Sequence, residues 1–353
     1  MKRQETWPNL ADLSNKMKEW FARMGIGTFG LGWKMFHRLS RHPLPAKDHY
    51  YMMMLFRLLF RSYNVWISYP NPIVPQTIVH LRVNLCENNQ QWFFRLRQQY
   101  DLKEIYLLAE GMKDAEVFVD IGSNVGIYAL TIAQAFPNKQ VVAFEPLQTN
   151  FDSLQANITR NGITNCLAYQ KAICKADKPV RFYINPIHDG GGSLILPEVY
   201  KTGDVEINVD LYQKKHPEFQ PWLEVDTERL NEVLSQRSVV KIDVEGAEID
   251  VLQSGYDALK TGLVDLMIVE VIQDTVDEVV QLLDNLGFDA FILPEFKAIG
   301  KGTLLPWFVK NIICVRKNTP AHGRICQKCG SNRERNRIMQ FPFNAEFGQP
   351  RIK

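Results

Sequence analysis

The stretch 117-VFVDIGSNVG-126 decides the fold. Val117, Phe118, Val119 and Ile121 are β-branched or aromatic, as a strand buried on both faces requires, and Asp120 interrupts them near the carboxyl end. Gly122 and Gly126 then bracket a turn, where the missing Cβ lets the backbone take a positive φ and pass close to a ligand. The following residues, 127-IYALTIAQAF-136, have the apolar spacing of a helix. Strand, glycine turn and helix make a nucleotide-type cradle. An ordinary strand-turn-helix with glycines for packing uses the same residues, so the neighbouring segments must decide.

A second strand, 140-QVVAFEP-146, ends on Glu145 with Pro146 behind it. An acid at this distance from the first strand can accept both hydroxyls of a ribose, and a dinucleotide fold places one at a similar spacing, so an NAD-dependent oxidoreductase stays open. The loop argues against NAD: it reads G-x-N-x-G, with Asn124 where the middle glycine would admit a pyrophosphate. A ligand with a ribose and no phosphate fits better. S-adenosylmethionine is one, and Asp120 with the loop amides is expected to hold its amino-acid end.

Farther along, 239-VVKIDVEGAEIDVL-252 carries a strand that ends on Asp243 and a helix that opens with Glu245, Gly246 and Glu248. Carboxylates crowded at a strand's carboxyl end repel unless something positive lies among them, and in an open α/β sheet that edge is where ligands bind. Helix capping explains Glu245 or Glu248 singly and Asp243 less well; a sulfonium cation suits all of them. Another strand, 264-VDLMIVEVI-272, ends near Glu270. Between the second and third strands, 148-QTNFDSLQANITRNG-162 reads as a helix closed by Asn161-Gly162, and 166-CLAYQKAIC-174 as a strand whose end near Ala172 faces an adenine ring. The loop 188-HDGGGSL-194 has the polarity and flexibility of a lid and contributes His188. Alternation of strand and helix from Val117 to Cys314 predicts a doubly wound, mostly parallel sheet of about seven strands with an antiparallel edge.

The termini are different. Residues 1–42 hold eight Lys or Arg against three acids, with aromatics among them, a pattern that serves either a helical cap on the core or peripheral contact with an anionic membrane. The apolar run 50-YYMMMLFRLLF-60 is too short, and cut by Arg57, to span a bilayer. Cys326 and Cys329 have no second pair after them, which argues against a zinc knuckle, and residues 330–353 read as flexible. The net charge of +2 gives no global field for nucleic acid, and six scattered cysteines with no secretory signal point to the cytoplasm.

VDIGSNVG, AFEP, NFDSLQAN, GGSL, KIDVEGAE and IVE, in that order, give the chain from about Ala115 to Ile313 a resemblance to the FkbM-type S-adenosylmethionine-dependent methyltransferases. The resemblance implies a Rossmann-like class I methyltransferase fold, placed within residues 81–316, and O-methylation of a sugar, glycan or other secondary metabolite; it leaves the ends without assignment, and there the residues themselves predict a helical extension over 1–80 and a flexible basic tail over 317–353. By position it implies that Asp120, Gly122, Ser123, Asn124 and Gly126 cradle the methionine part, that Glu145 and Pro146 meet the ribose, and that Asp243 lies beside the methyl group. The family usually has alanine where this chain has Ser123. A neutral hydroxyl must lose its proton as it attacks, so a base is expected, first Asp243, then Glu245, Glu270 or His188. A divalent metal among Asp243, Glu245 and Glu270 is the alternative, and a non-catalytic binding or scaffold protein is the reading from another class.

Overall fold

The computed structural model describes residues 64–330, apart from some positions within 86–100 and 186–219 and all of 293–296 and 306–310. The basic segment 1–42, the apolar run 50–60, His188 and the chain beyond 330 lie outside the described residues. Among the described residues no helix is long and apolar enough to cross a membrane.

A hairpin, β1 (Asn64–Pro70) and β2 (Ile78–Asn84), precedes helix α1 (Leu102–Gly111). Strand and helix then alternate through β3 (Val117–Ile121), α2 (Ile127–Ala135), β4 (Gln140–Phe144), α3 (Gln148–Arg160) and β5 (Cys166–Tyr169). Short strands follow: β6 (Ala172–Ile173), β7 (Val180–Tyr183), β8 (Val199–Thr202), β9 (Val205–Asn208), β10 (Trp222–Val225) and β11 (Thr227–Glu228). Alternation resumes with α4 (Leu230–Val233), β12 (Ser238–Ile242), α5 (Glu248–Ser254), α6 (Tyr256–Lys260), β13 (Val264–Glu270) and α7 (Val276–Asn285). The last elements are β14 (Phe288–Ile292), β15 (Lys297–Ala298), β16 (Asn311–Arg316) and α8 (Pro320–Gly330).

The main sheet runs β15-β14-β16-β13-β12-β3-β4-β5. From β5 to β13 all neighbours are parallel, and β16 inserts antiparallel between β13 and β14. The chain order reverses at β3, whose neighbours are β4 and β12, so the switch point of this doubly wound sheet lies between β3 and β12. The fold is the expected α/β class; the two-residue strand β15 makes eight strands where the pattern predicted seven.

Side-chain alternation along the strands divides the core into two layers. Phe118, Val239 and Leu266 face β1, β2, α1, α2 and α3, while Val117, Val119, Val240 and Met267 face α5, α6 and α7. Phe118 and Leu130 are fully buried, each worth about 2 kcal/mol of transfer energy. On the first layer's face, Asp120 of β3 is the register partner of Lys241 of β12, so two charged side chains sit next to each other inside the sheet.

Four expectations need correction. β1 pairs in register with β2 and buries Val65, Ile67 and Tyr69, so residues 64–70 are a strand where a helical extension was expected. Residues 320–330 form α8, seated through Ala321 and Ile325, where a flexible tail was expected. β5 stops at Tyr169, and Ala172 belongs to a separate short strand paired with β11. The carboxylates after β12 precede the helix: α5 begins at Glu248, and Glu245 (φ 53°) with Gly246 (φ 103°) makes a left-handed turn before it.

Candidate active site

The turn after β3 is built from groups that answer one another. Gly122 and Ser123 both donate their amides to the Phe144 carbonyl at the end of β4 (3.0 and 2.9 Å), and the Ser123 hydroxyl donates to the same oxygen (3.1 Å). The Asn124 amide donates to Glu145 Oε2 (2.8 Å), and the Gly126 amide to the Ser123 carbonyl (2.8 Å). The amides of residues 122, 123, 124 and 126 are thus engaged within the protein. The glycines also answer to the protein itself. A Cβ on Gly122 (φ +78°) would stand 1.8 Å from the Asp243 carbonyl oxygen, and one on Gly126 (φ +90°) 2.4 Å from Leu154 Cδ1.

Asp120 is fully buried. Its Oδ2 accepts the Ala129 amide of the first turn of α2 (3.2 Å), which serves the helix start because Gly126 offers no side chain to cap it. Burial pushes the Asp120 carboxyl up to about 6, against the nearby Lys241 ammonium, which pulls it down. Glu145 is also buried; its Oε1 accepts the Leu147 amide (3.0 Å), and burial raises its carboxyl to about 7 even though the Leu147 and Asn124 amides favour the ionised form. Two buried oxygens beside this turn, Asp120 Oδ1 and Asn124 Oδ1, have no hydrogen-bond partner among the described residues. An unmet acceptor in a dry site is costly, so a ligand bringing donors, such as an ammonium group, fits the cradle.

Across the switch point the site is acidic. Asp243, Glu245 and Glu270 each bring one carboxylate oxygen within 4.8 Å of the others. Their hard oxygens suit a cation, whether a sulfonium or a divalent ion. Asp243 is tied on two sides: its amide donates to the Ile121 carbonyl (3.0 Å), and its Oδ2 accepts from Lys241 Nζ at 2.7 Å. Glu248 has a different role, since its Oε1 accepts the Gly246 (2.9 Å) and Val244 (3.4 Å) amides and closes its own turn. Pro146 and Ala172, expected near the ribose and adenine, line one small cleft with Ile121, Gly122 and Val244. The Ala172 amide donates to the Asp226 carbonyl (2.9 Å), and Ala172 packs with Phe182 and Val225.

Lys241 is the residue that pattern reading passes over. It is 2% exposed, and its ammonium lies 4.6 Å from the centre of the Tyr128 ring. Burial alone would push the ammonium down; the Asp243 and Asp120 carboxylates, with Glu270 beyond them, outweigh it and hold it above its ordinary value. The signal in the sequence was a lysine flanked by Val239, Val240 and Ile242 in a strand buried along its whole length.

The turn after β3, the buried acid that follows β4 and the acids after β12 all fall within residues 120–290. The Methyltransferase FkbM domain matches residues 120–290. These residues are an FkbM-type methyltransferase domain. Methyltransferase 1 of Beauveria bassiana is 28% identical over 190 residues, covering 50% of this chain and 73% of that one. The 31-O-demethyl-FK506 methyltransferase FkbM of Streptomyces tacrolimicus is 25% identical over 193 residues, covering 50% and 74%. Hexuronic acid methyltransferase AglP of Haloferax volcanii is 29% identical over 182 residues, covering 51% and 65%. The sheet of this domain is Rossmann-like, with the antiparallel strand β16 inserted between β13 and β14.

Proposed function

We propose that this chain methylates a hydroxyl oxygen of a sugar, glycan or other secondary metabolite, with S-adenosylmethionine as donor. The observation that carries this reading is the meeting of Asp243, Glu245 and Glu270 within 4.8 Å at the sheet edge that also holds the turn after β3 and Glu145. Relatives named for O-demethyl-FK506 and hexuronic acid point to oxygen acceptors.

The cofactor supplies the methyl group and a sulfonium leaving group, which departs as a neutral thioether. The protein's tasks are to bind, to align and to take one proton. Glu145, ionised, accepts the ribose hydroxyls on lone pairs left over from the Asn124 and Leu147 amides. Asp120 Oδ1 and Asn124 Oδ1 receive the donors of the amino-acid end. Ser123 shapes the turn, its hydroxyl being engaged by Phe144. Pro146 and Ala172 form apolar wall beside the ring system. Asp243 would lie beside the methyl group, where its charge would favour the sulfonium and its carboxylate would take the proton that the acceptor hydroxyl loses. Glu245 and Glu270 hold the same edge negative.

The test is transfer of labelled methyl from S-adenosylmethionine to a panel of hydroxylated acceptors that includes uronic acids, with wild type and Asp243→Ala. Labelled methyl ether from wild type and none from a folded variant is the expected result; equal transfer by both removes Asp243 from the mechanism. The three carboxylates favour one second reading, a divalent ion that acidifies the hydroxyl. Transfer that survives exhaustive chelation supports the proton-accepting role; transfer lost and restored by magnesium supports the ion.

A further inference from the structure

Of the two charged side chains inside the sheet, Asp120 caps α2 and Lys241 binds neither cofactor nor acceptor in the function proposed. Lys241 is placed by register: Cα pairing sets it beside Asp120, and the two-residue period of β12 puts Asp243 next on the same face. It lies on the face of the sheet that carries Val239 and Phe118, and its ammonium reaches Asp243 Oδ2 at 2.7 Å over the face of Tyr128. The ring is fixed in turn, because the Tyr128 hydroxyl donates to Asp101 Oδ2 at 2.6 Å. The side chains of this pair differ in access: Lys241 is 3% exposed and Asp243 34%. A lysine at that depth carries a desolvation penalty of several kcal/mol, so an apolar residue would suit the strand better if packing were its only duty.

We infer that Lys241 is a positioning residue for the methyl-transfer site: it fixes one oxygen of Asp243 from beneath the sheet edge, so that the carboxylate keeps a single orientation toward the sulfonium. Asp120, on the other side of the ammonium, holds the first turn of α2 through Ala129, so the same buried cation joins the cofactor strand to the acceptor side. This inference rests on the reading that Asp243 faces the sulfonium.

S-adenosylmethionine carries the sulfonium charge and S-adenosylhomocysteine does not, so the ratio of their affinities reads the orientation of Asp243 without an acceptor. Calorimetric titration of both ligands is carried out on wild type, Asp243→Asn, Lys241→Met, Lys241→Arg and the double variant Lys241→Met/Asp243→Asn. Asp243→Asn is expected to lower the preference for the charged ligand roughly tenfold, as loss of a supporting partner does elsewhere. Lys241→Met should lower it to a similar extent, Lys241→Arg should restore most of it, and the double variant should match Asp243→Asn because the lysine acts through the aspartate. If Lys241 were only a nearby positive charge, its removal would raise the preference, and that outcome overturns the inference. A double variant well below Asp243→Asn overturns it too, and if the Met variants, which leave Asp120 buried without its cation, do not fold, a folded Lys241→Arg with the preference of Asp243→Asn overturns it as well. If Asp243→Asn binds S-adenosylhomocysteine normally with its preference unchanged, the reading of Asp243 is what has failed.

Discussion

The two halves of the site are held in different ways. The turn after β3 is fixed chiefly on one backbone carbonyl: the Phe144 oxygen takes the Gly122 and Ser123 amides and the Ser123 hydroxyl, and Gly122 lies against the Asp243 carbonyl with no room for a side chain. The turn after β12 is fixed by charge, with Lys241 beneath Asp243 and Glu248 gathering the amides of its own loop. Backbone bonds are local and short-ranged, and they give a cradle of one shape. Charge reaches farther and responds to the ligand, which suits the side where a cation arrives and becomes neutral during the reaction.

The contact between the halves is the place to break this arrangement. Gly122→Ala should cost about 4 kcal/mol or more, because the Cβ would meet a carbonyl oxygen at 1.8 Å in a backbone at φ +78°. Chemical denaturation would read this as loss of the folded state; near-normal stability would mean that the two turns do not touch as described. Next in size, Asp243→Asn is expected to reduce methyl transfer by about 10² to 10⁴ while leaving the melting temperature within a few degrees. A smaller effect is expected beside the turn after β3: Glu145→Gln should weaken S-adenosylhomocysteine roughly tenfold to a hundredfold, in line with loss of a charge-assisted hydrogen bond.

Protonation sharpens the comparison. Glu145 rises from 4.5 to about 7 and Asp120 from 3.8 to about 6, both chiefly through burial. Raised acids keep their protons in the folded state after the unfolded chain has lost them, so the stability they contribute is full below their ordinary values and is lost as pH rises through about 4 to 7. Ribose hydroxyls need the ionised Glu145 as acceptor. Binding of S-adenosylhomocysteine near neutral pH should therefore release a fraction of a proton and weaken as pH falls below about 7. Calorimetry in buffers of different ionisation enthalpy measures that proton, and proton uptake would reverse the assignment. The smallest effect belongs to a glycine outside either turn. Gly162 also has positive φ (+63°) with nothing within 4 Å of a built Cβ, so Gly162→Ala should cost about 1 kcal/mol. A loss as large as at Gly122 would show that backbone strain, and not the carbonyl, sets the cost.

Much of this layout is legible in the chain. Val117–Ile121 and Gln140–Phe144 announce buried parallel strands by their β-branched and aromatic residues, the position of Glu145 follows from the strand's end, and Asn161-Gly162 closes α3 as its residue types require. What pattern cannot give is the destination of a hydrogen bond. The loop amides read as ligand donors because nothing in GSNVG says that the Phe144 carbonyl, 21 residues away from Ser123, takes them. Lys241 was hidden because a lysine in a strand reads as a solvated edge until register places Asp120 beside it. β1 was missed because 64-NVWISYP-70 alternates over only seven residues and ends on proline, a pattern that becomes a strand through pairing with β2. His188 lies outside the described residues, so its expected role as a base stays with the sequence alone.

The central claim is that the turn after β3 and Glu145 form a cradle for an adenosyl ligand without phosphate. Calorimetric titration of the full chain with S-adenosylhomocysteine, in parallel with NAD and repeated on Glu145→Ala, tests it most directly. The account predicts micromolar binding of S-adenosylhomocysteine, lost in the variant, with no binding of NAD. Binding of NAD, or no binding of the adenosyl ligand by a folded wild type, would contradict it.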